Sequence, residues 1–328
     1  MRAWVLEKVN HLFLKEVEEP KVNDEEIKIK VEGCGICHTD LHIIKGELEP
    51  KKLPVIPGHQ IIGRITEKGK NVFGFEVSEL VGVPWLNEVC FKCPYCKNGF
   101  ENLCENPKFT GFDIDGGFAE YHKTNYKFAY KLPKFFENIK YAPLLCGGVV
   151  GWRALKQTNL KEKNSILGLY GFGSSAHIVL QIANYFGFNV FVFSRSEEHK
   201  ELALKLGAKW AGNSNEKPPE LLDGAIVFAP KGFLMVEALK NIKKGKRVVS
   251  AGIYMDDIPS FHYNLLWEER VLTSVANSTR EDVKEIIEIS KKLKFNIEAE
   301  VYNFEELDLA LKKLEEGKVQ GSAILKIK

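Results

Sequence analysis

The chain has 328 residues, 45% of them hydrophobic and 27% charged, a balance that suits two globular domains and excludes wholesale disorder or a fibrous fold. Its 46 Lys+Arg stand against 44 Asp+Glu, a formal net of +2 without a dense basic block, which argues against nucleic acid or a polybasic membrane surface as a partner. The longest stretch without a charged residue, 166–193, is interrupted by glycines and polar side chains and lacks the ~18 consecutive apolar residues of a membrane span. The start, Met1-Arg2-Ala3-Trp4, alternates like a strand and has no signal-peptide core, so the expected location is the cytoplasm.

In chain order, the pattern is β-rich and turn-rich to about residue 130. Residues 27–31 alternate with period two, Val55-Ile56 precedes Pro57-Gly58, residues 61–65 read as a strand bent at Gly63, and Gly116-Gly117 turns into a short strand at 118–121. Short strands punctuated by Gly and Pro suggest a partly closed barrel. The pattern changes near residue 141. A helix is predicted over 149–157, a buried parallel strand over 165–170, a helix over 174–186, a strand over 189–193 and a helix over 197–206, with further strands at 225–228 and 247–250. This alternation implies a doubly wound parallel sheet. Two amphipathic helices, 282–292 and 304–316, and a strand over 322–327 close the chain. With no repeat or flexible linker, the two domains are expected to share an interface with a cleft.

The seven cysteines are odd in number and clustered, which favours metal ligation over a disulfide framework. Cys90, Cys93, Cys96 and Cys104 form a C-x2-C-x2-C-x7-C run whose four thiolates can close a tetrahedron around zinc, with Pro94 and Gly99 shaping the loop. An iron–sulfur run would have a three-residue final gap followed by proline; here the gap is seven and Glu105 follows, so zinc is favoured, in a closed structural site. A second, scattered set is Cys37 in Gly-Ile-Cys-His-Thr-Asp-Leu-His, His59 in Pro-Gly-His, and Cys146 in Leu-Leu-Cys-Gly-Gly. Singly, each reads as a core residue; together, two Cys and one His give zinc three ligands and leave a fourth position open. A third motif, Gly171, Phe172, Gly173, Ser174, Ser175 and Ala176, follows a strand and opens a helix, where glycines and helix N–H groups can receive a pyrophosphate.

Taken together these motifs resemble the zinc-dependent medium-chain alcohol dehydrogenases, in the family's order and over essentially the whole chain, and most closely the branch of bacterial, archaeal and yeast-type enzymes. The resemblance implies an α/β protein: a GroES-like β-barrel catalytic domain over 1–146 with both zinc sites, a doubly wound Rossmann cofactor domain over 147–276, and a return to the catalytic domain over 277–328. It implies two zinc ions per chain, the catalytic one held by Cys37, His59 and Cys146 and the structural one by the four-cysteine run. Thr39 would contact the substrate oxygen and pass its proton toward His42, which ends a relay through the cofactor ribose, while Asp40 would orient His59. The substrate would be a small alcohol or aldehyde, and relatives are dimers or tetramers, so a homo-oligomer is expected.

Departures from the family refine these expectations. Gln60 stands where the family commonly has Glu after the ligand histidine, which puts ligand exchange at the metal in question. Trp85 aligns with the aromatic wall of the pocket, whereas Leu48 replaces a second pocket tryptophan and widens it toward primary alcohols larger than ethanol. Cys34 matches no ligand position and reads as a core residue. The strand over 189–193 ends in Ser194-Arg195-Ser196 with no carboxylate at its tip. A carboxylate there selects NAD, and a serine with an arginine suits a 2′-phosphate, so NADP(H) is expected over NAD(H). Two alternatives stay open: a cinnamyl-type aromatic aldehyde reductase, and a zinc-stabilised nucleotide-binding protein without activity.

Overall fold

A computed structural model describes residues 1–327. The chain forms two compact units: one of residues 1–146, 279–291 and the segment from Ile297 on, the other of residues 147–278 and 292–296.

The first unit is built on a seven-stranded sheet. Its strands run in the order Ala299–Asn303, Ser322–Lys326, Glu26–Ile36, Ile61–Lys68, Leu80–Val83 and Tyr130–Lys131, with Tyr121–Asn125 also paired to Glu26–Ile36. The period-two pattern read at 27–31 sits inside this long central strand: Ile27, Ile29 and Val31 are buried, and the lysines between them are not. Gly63 stands where two strands approach closely, inside the continuous strand Ile61–Lys68. A Cβ there would lie 2.2 Å from the Lys30 carbonyl oxygen, so the two strands approach too closely for any side chain. The first residues form the strand Arg2–Lys8, in a hairpin with His11–Glu16.

One predicted strand is displaced. Residues 118–121 make only an isolated bridge, Ala3 to Ala119, and the strand begins at Tyr121. The reason lies in where the backbone donors go. Gly116, Gly117 and Phe118 donate to the carbonyls of Ile56, Gly58 and Pro57, so this segment clamps the turn that carries His59 instead of joining a ladder.

The second unit holds six parallel strands in the order Trp210–Gly212, Asn189–Phe193, Ile166–Tyr170, Leu222–Val227, Ile242–Ser250 and Val271–Ser274. Numbered along the unit this is 3-2-1-4-5-6, a doubly wound sheet whose order reverses at Ile166–Tyr170. That strand is buried along its length, as its unbroken apolar run predicts. Helices Gly147–Gln157, Ser174–Tyr185 and Glu197–Lys205 match the predicted ones to within two residues. The helix Phe233–Asn241 and the edge strands Trp210–Gly212 and Val271–Ser274 were not anticipated. The two edge strands, of three and four residues, are too short to stand out.

Candidate active site and metal centres

Cys37 is the N-cap of a seven-residue helix, His38–Ile44. The helix escapes sequence reading because it is barely two turns long and is capped by a thiol rather than a hydroxyl or carboxamide. The Cys37 Sγ accepts from the Thr39 N–H at 3.2 Å, and the Asp40 carboxylate accepts from the Cys37 N–H at 2.9 Å, a reciprocal capping box. Asp40 is fully buried. Its other oxygen accepts from the Gly58 N–H at 3.1 Å and from His59 Nδ1 at 3.0 Å. One carboxylate therefore ties the Cys37 helix to the histidine turn, fixes the ring with Nδ1 protonated and turns Nε2 outward.

His59 Nε2 lies 3.6 Å from Cys37 Sγ and 3.4 Å from Cys146 Sγ. Cys146 caps the last 3₁₀ segment before the second unit, Ile139–Leu145. The three ligand atoms all fall within 4.8 Å of one another. Two thiols and one imidazole nitrogen, with the far side of the ring already hydrogen-bonded, are a donor set that fits zinc with a position to spare. The proton inventory agrees with a site built for a cation. The Cys146 thiol donates to Cys37, which with help from His59 holds Cys37 well below the usual thiol range despite burial, while Cys146 itself is pushed up. Burial would lower His59, but the charges of Asp40 and Cys37 outweigh it and raise the ring to about 10. A metal binding here must displace these protons.

Around this set, Trp85 meets His59 edge-on, ring centroids 4.8 Å apart at 76°. Trp85 also stacks on Phe109 at 5.1 Å and 14° and lies 5.8 Å from Phe112. Phe109 and Phe112 follow the cysteine run, and nothing in their sequence setting marks them as neighbours of Trp85. Leu48 lies in the turn after the helix, partly buried against the apolar core of this unit. Gln60 is buried beside Gly35, where a Cβ would come within 2.3 Å of its Oε1. His42 lies in the last turn of the helix, with the Glu47 carboxylate on its Nδ1. Cys34 is fully buried in the core.

The four other cysteines also converge within 4.8 Å. The N–H groups of Cys90, Cys93, Cys96 and Asn106 donate to the sulfurs of Cys104, Cys90, Cys93 and Cys104 at 3.3–3.5 Å. Pro94 opens the short helix Pro94–Lys97, and Phe91 and Gly99 take left-handed conformations that wrap the loop. Backbone donors from Cys96 and Glu105 bring Cys93 down to about 6. Four thiols with backbone donors aimed at sulfur fit a closed zinc site. Arg280 anchors the lobe. It pairs with Glu101 through Nε and Nη2 at 3.0–3.1 Å and lies 4.9 Å from the centroid of the Phe91 ring.

In the second unit the glycine motif leaves the end of the central strand. Gly171, at φ +87°, would clash with the Ala229 backbone if it bore a side chain, and its N–H bonds the Phe193 carbonyl. Gly173 is the N-cap of Ser174–Tyr185, and nothing lies within 4 Å of where its Cβ would be. Phe172 is buried, Ser174 and Ser175 are partly exposed, and Ala176 is fully buried where the helix meets the sheet. The open space at a helix N-terminus suits a pyrophosphate. At the tip of the next strand Ser194 is 8% exposed and accepts from the Ser196 N–H. Arg195 is exposed and pairs with no acid among the described residues. Ser196 caps the helix containing Glu197, whose carboxylate is bound by Lys200 at 2.6 Å.

Residues 23–134 match the alcohol dehydrogenase GroES-like domain and residues 176–292 the zinc-binding dehydrogenase family. The chain is 38% identical to a probable alcohol dehydrogenase of Mycobacterium tuberculosis, over 94% of this chain and 90% of that one. Among solved structures it is similar to a cinnamyl alcohol dehydrogenase of Sorghum bicolor, with a TM-score of 0.91 and 26% identity, covering 99% of this chain and 97% of that one. It is also similar to CAD from Helicobacter pylori complexed with NADP(H), with a TM-score of 0.87 and 25% identity, covering 99% of each. Among the described residues no helix is long and apolar enough to cross a membrane.

Proposed function

The chain belongs to the zinc-dependent medium-chain alcohol dehydrogenase family, and from that premise we propose that it interconverts primary alcohols larger than ethanol and their aldehydes, with NADP(H) as hydride carrier. The observation that carries the reading is the convergence of Cys37, His59 and Cys146, with His59 held on Asp40. These three residues would hold the catalytic zinc, and Cys90, Cys93, Cys96 and Cys104 a second, structural one. When bound, the catalytic ion supplies a Lewis acid at the substrate oxygen. The chain's own residues then manage the proton. Thr39, on the first turn of the helix, would accept the hydroxyl proton through its Oγ1 while giving up its own, and His42, on the last turn, would receive that proton by way of the cofactor ribose. The His42 imidazole can then return the proton to solvent. A nicotinamide cofactor, when bound, would supply the acceptor for the hydride of the alcohol carbon, giving the aldehyde.

The cofactor preference rests on the strand tip. No carboxylate follows Phe193, Ser194 can donate to a 2′-phosphate, and Arg195 has no acid partner to compete for its guanidinium. The nearby Glu197 is paired with Lys200, which offsets part of its repulsion of a phosphate. Substrate size rests on Leu48 in place of a second tryptophan. The Trp85, Phe109 and Phe112 rings favour a second reading of the same site, an aromatic aldehyde reductase of the cinnamyl type.

The test compares kcat/KM for NADP(H) and NAD(H) in the wild type and in Ser194→Asp/Arg195→Ala, with ethanol, hexanol and cinnamyl alcohol as substrates. The reading expects NADP(H) to be preferred, the double variant to move toward NAD(H), and both larger alcohols to exceed ethanol. A wild type that favours NAD(H), or ethanol as the best substrate, contradicts it.

A further inference from the structure

The proposed relay uses His42 but leaves its partner without a role. The helix that carries His42 ends at Ile44, and the chain turns back at once. Lys45 and Gly46 donate to the carbonyls of Leu41 and Ile43, and Leu48 donates to the carbonyl of His42 itself at 3.1 Å. Gly46 makes the reversal possible at φ +75°, a conformation that strains any other residue. Glu47, held between Gly46 and Leu48, is folded beneath the histidine with its carboxylate on Nδ1. The imidazole is 15% exposed and the carboxylate 41%, so the pair is half-sheltered from solvent.

A carboxylate is acceptor-only, so the ring nitrogen facing it carries a proton. We propose that Glu47 is a positioning residue for the relay: it holds His42 in the Nδ1–H tautomer, directs Nε2 to take up the substrate proton, and stabilises the imidazolium that forms. The proton balance is simple. The proton lost by the alcohol ends on Nε2, the Nδ1 proton stays in place, and Nε2 later returns its proton to water. The inference rests on His42 being the relay. The other ionisable groups nearby do not replace Glu47. His38 lies one turn earlier on the same helix, and Lys45, at the helix C-cap, is paired with Glu315 of the packed helix Leu307–Glu315.

The experiment follows the ¹⁵N resonances of the His42 ring in zinc-loaded wild type, Glu47→Gln and Glu47→Ala, assigned by comparison with His42→Gln, alongside the pH profile of kcat/KM for alcohol oxidation. The wild type is expected to show the Nδ1–H tautomer. Glu47→Gln keeps an acceptor but loses the charge, so it keeps the tautomer while the ring's titration midpoint falls by about 0.5–1 pH unit, and the acid limb of the rate profile moves with it. Glu47→Ala loses both, and its plateau rate drops several-fold. An Nε2–H tautomer in the wild type, or a midpoint unmoved in Glu47→Gln, overturns the role of Glu47. A pH profile unchanged in His42→Gln instead overturns the relay, and the ring resonances still decide what Glu47 does.

Discussion

The two cysteine-rich sites of the first unit are built by opposite routes. In the lobe all four sulfurs come from Cys90–Cys104, and N–H groups within residues 90–106 donate to the sulfurs of Cys90, Cys93 and Cys104. In the other site the ligands come from a helix cap, a turn and the end of a 3₁₀ segment, and long-range bonds hold them together. Asp40 binds both the Cys37 and the Gly58 backbone, and residues 116–118 bind the carbonyls of residues 56–58. A local four-thiol site would enclose an ion and serve folding. A site assembled from distant segments exists only once the fold is complete, and it keeps a ligand position open for chemistry.

Breaking one ligand in each site separates the two roles. Cys146→Ala is expected to lower kcat/KM by about 10³-fold or more, since it removes a ligand from the set that stabilises developing charge, while the protein stays folded with one zinc. Metal analysis with a thermal melt checks this. Retention of both ions, or loss of the fold, contradicts the division. Cys96→Ala should act the other way. It opens a closed site, so about 3 kcal/mol or more of stability is lost and the melting temperature falls, while the remaining folded enzyme keeps a near-normal turnover per catalytic zinc.

The same contrast explains what was legible in the sequence. The lobe announces itself because its ligands are neighbours in the chain, and the parallel sheet because buried strands are unbroken apolar runs. The scattered set was legible only jointly, as two cysteines and a histidine that together could hold zinc, with the family resemblance to assign their roles. Long-range consequences were hidden. Nothing local says that residues 116–118 give up a strand to clamp the His59 turn, or that Phe109 stacks on Trp85. The Glu101–Arg280 pair is equally silent, because its partners are far apart in sequence. The helix His38–Ile44 was missed for a different reason: its cap is a cysteine.

A milder change sharpens the comparison by leaving every ligand in place. In Asp40→Asn one carboxylate oxygen becomes an amide, so it cannot accept from Cys37, Gly58 and His59 together. Catalytic-zinc affinity is expected to fall about 10–100-fold, measured by competition with a chelator, with the lobe's ion unaffected. Equal loosening of both ions would show that the two sites are not independent.

The smallest effect concerns Gln60, the residue next to His59. Gln60 is 3% exposed, its carbonyl accepts from the Gly35 N–H at 3.0 Å, and its side chain fills the space that Gly35 leaves empty. Restoring the family's acid with Gln60→Glu would place a carboxyl in this dry pocket, one residue from a histidine already bound to buried Asp40. Burial disfavours ionisation, so the new group's pKa rises and it stays protonated at low pH. In that form it is nearly isosteric with glutamine, and zinc should leave to a chelator at the wild-type rate near pH 6. As the pH rises the group ionises and can compete for the ion during ligand exchange, so removal should become several-fold faster than wild type by about pH 9. The lobe, which the substitution does not touch, provides the internal standard: its ion should leave at the same rate in both proteins. A Gln60→Glu variant that matches the wild type across the whole range would show that this position does not govern exchange in this chain.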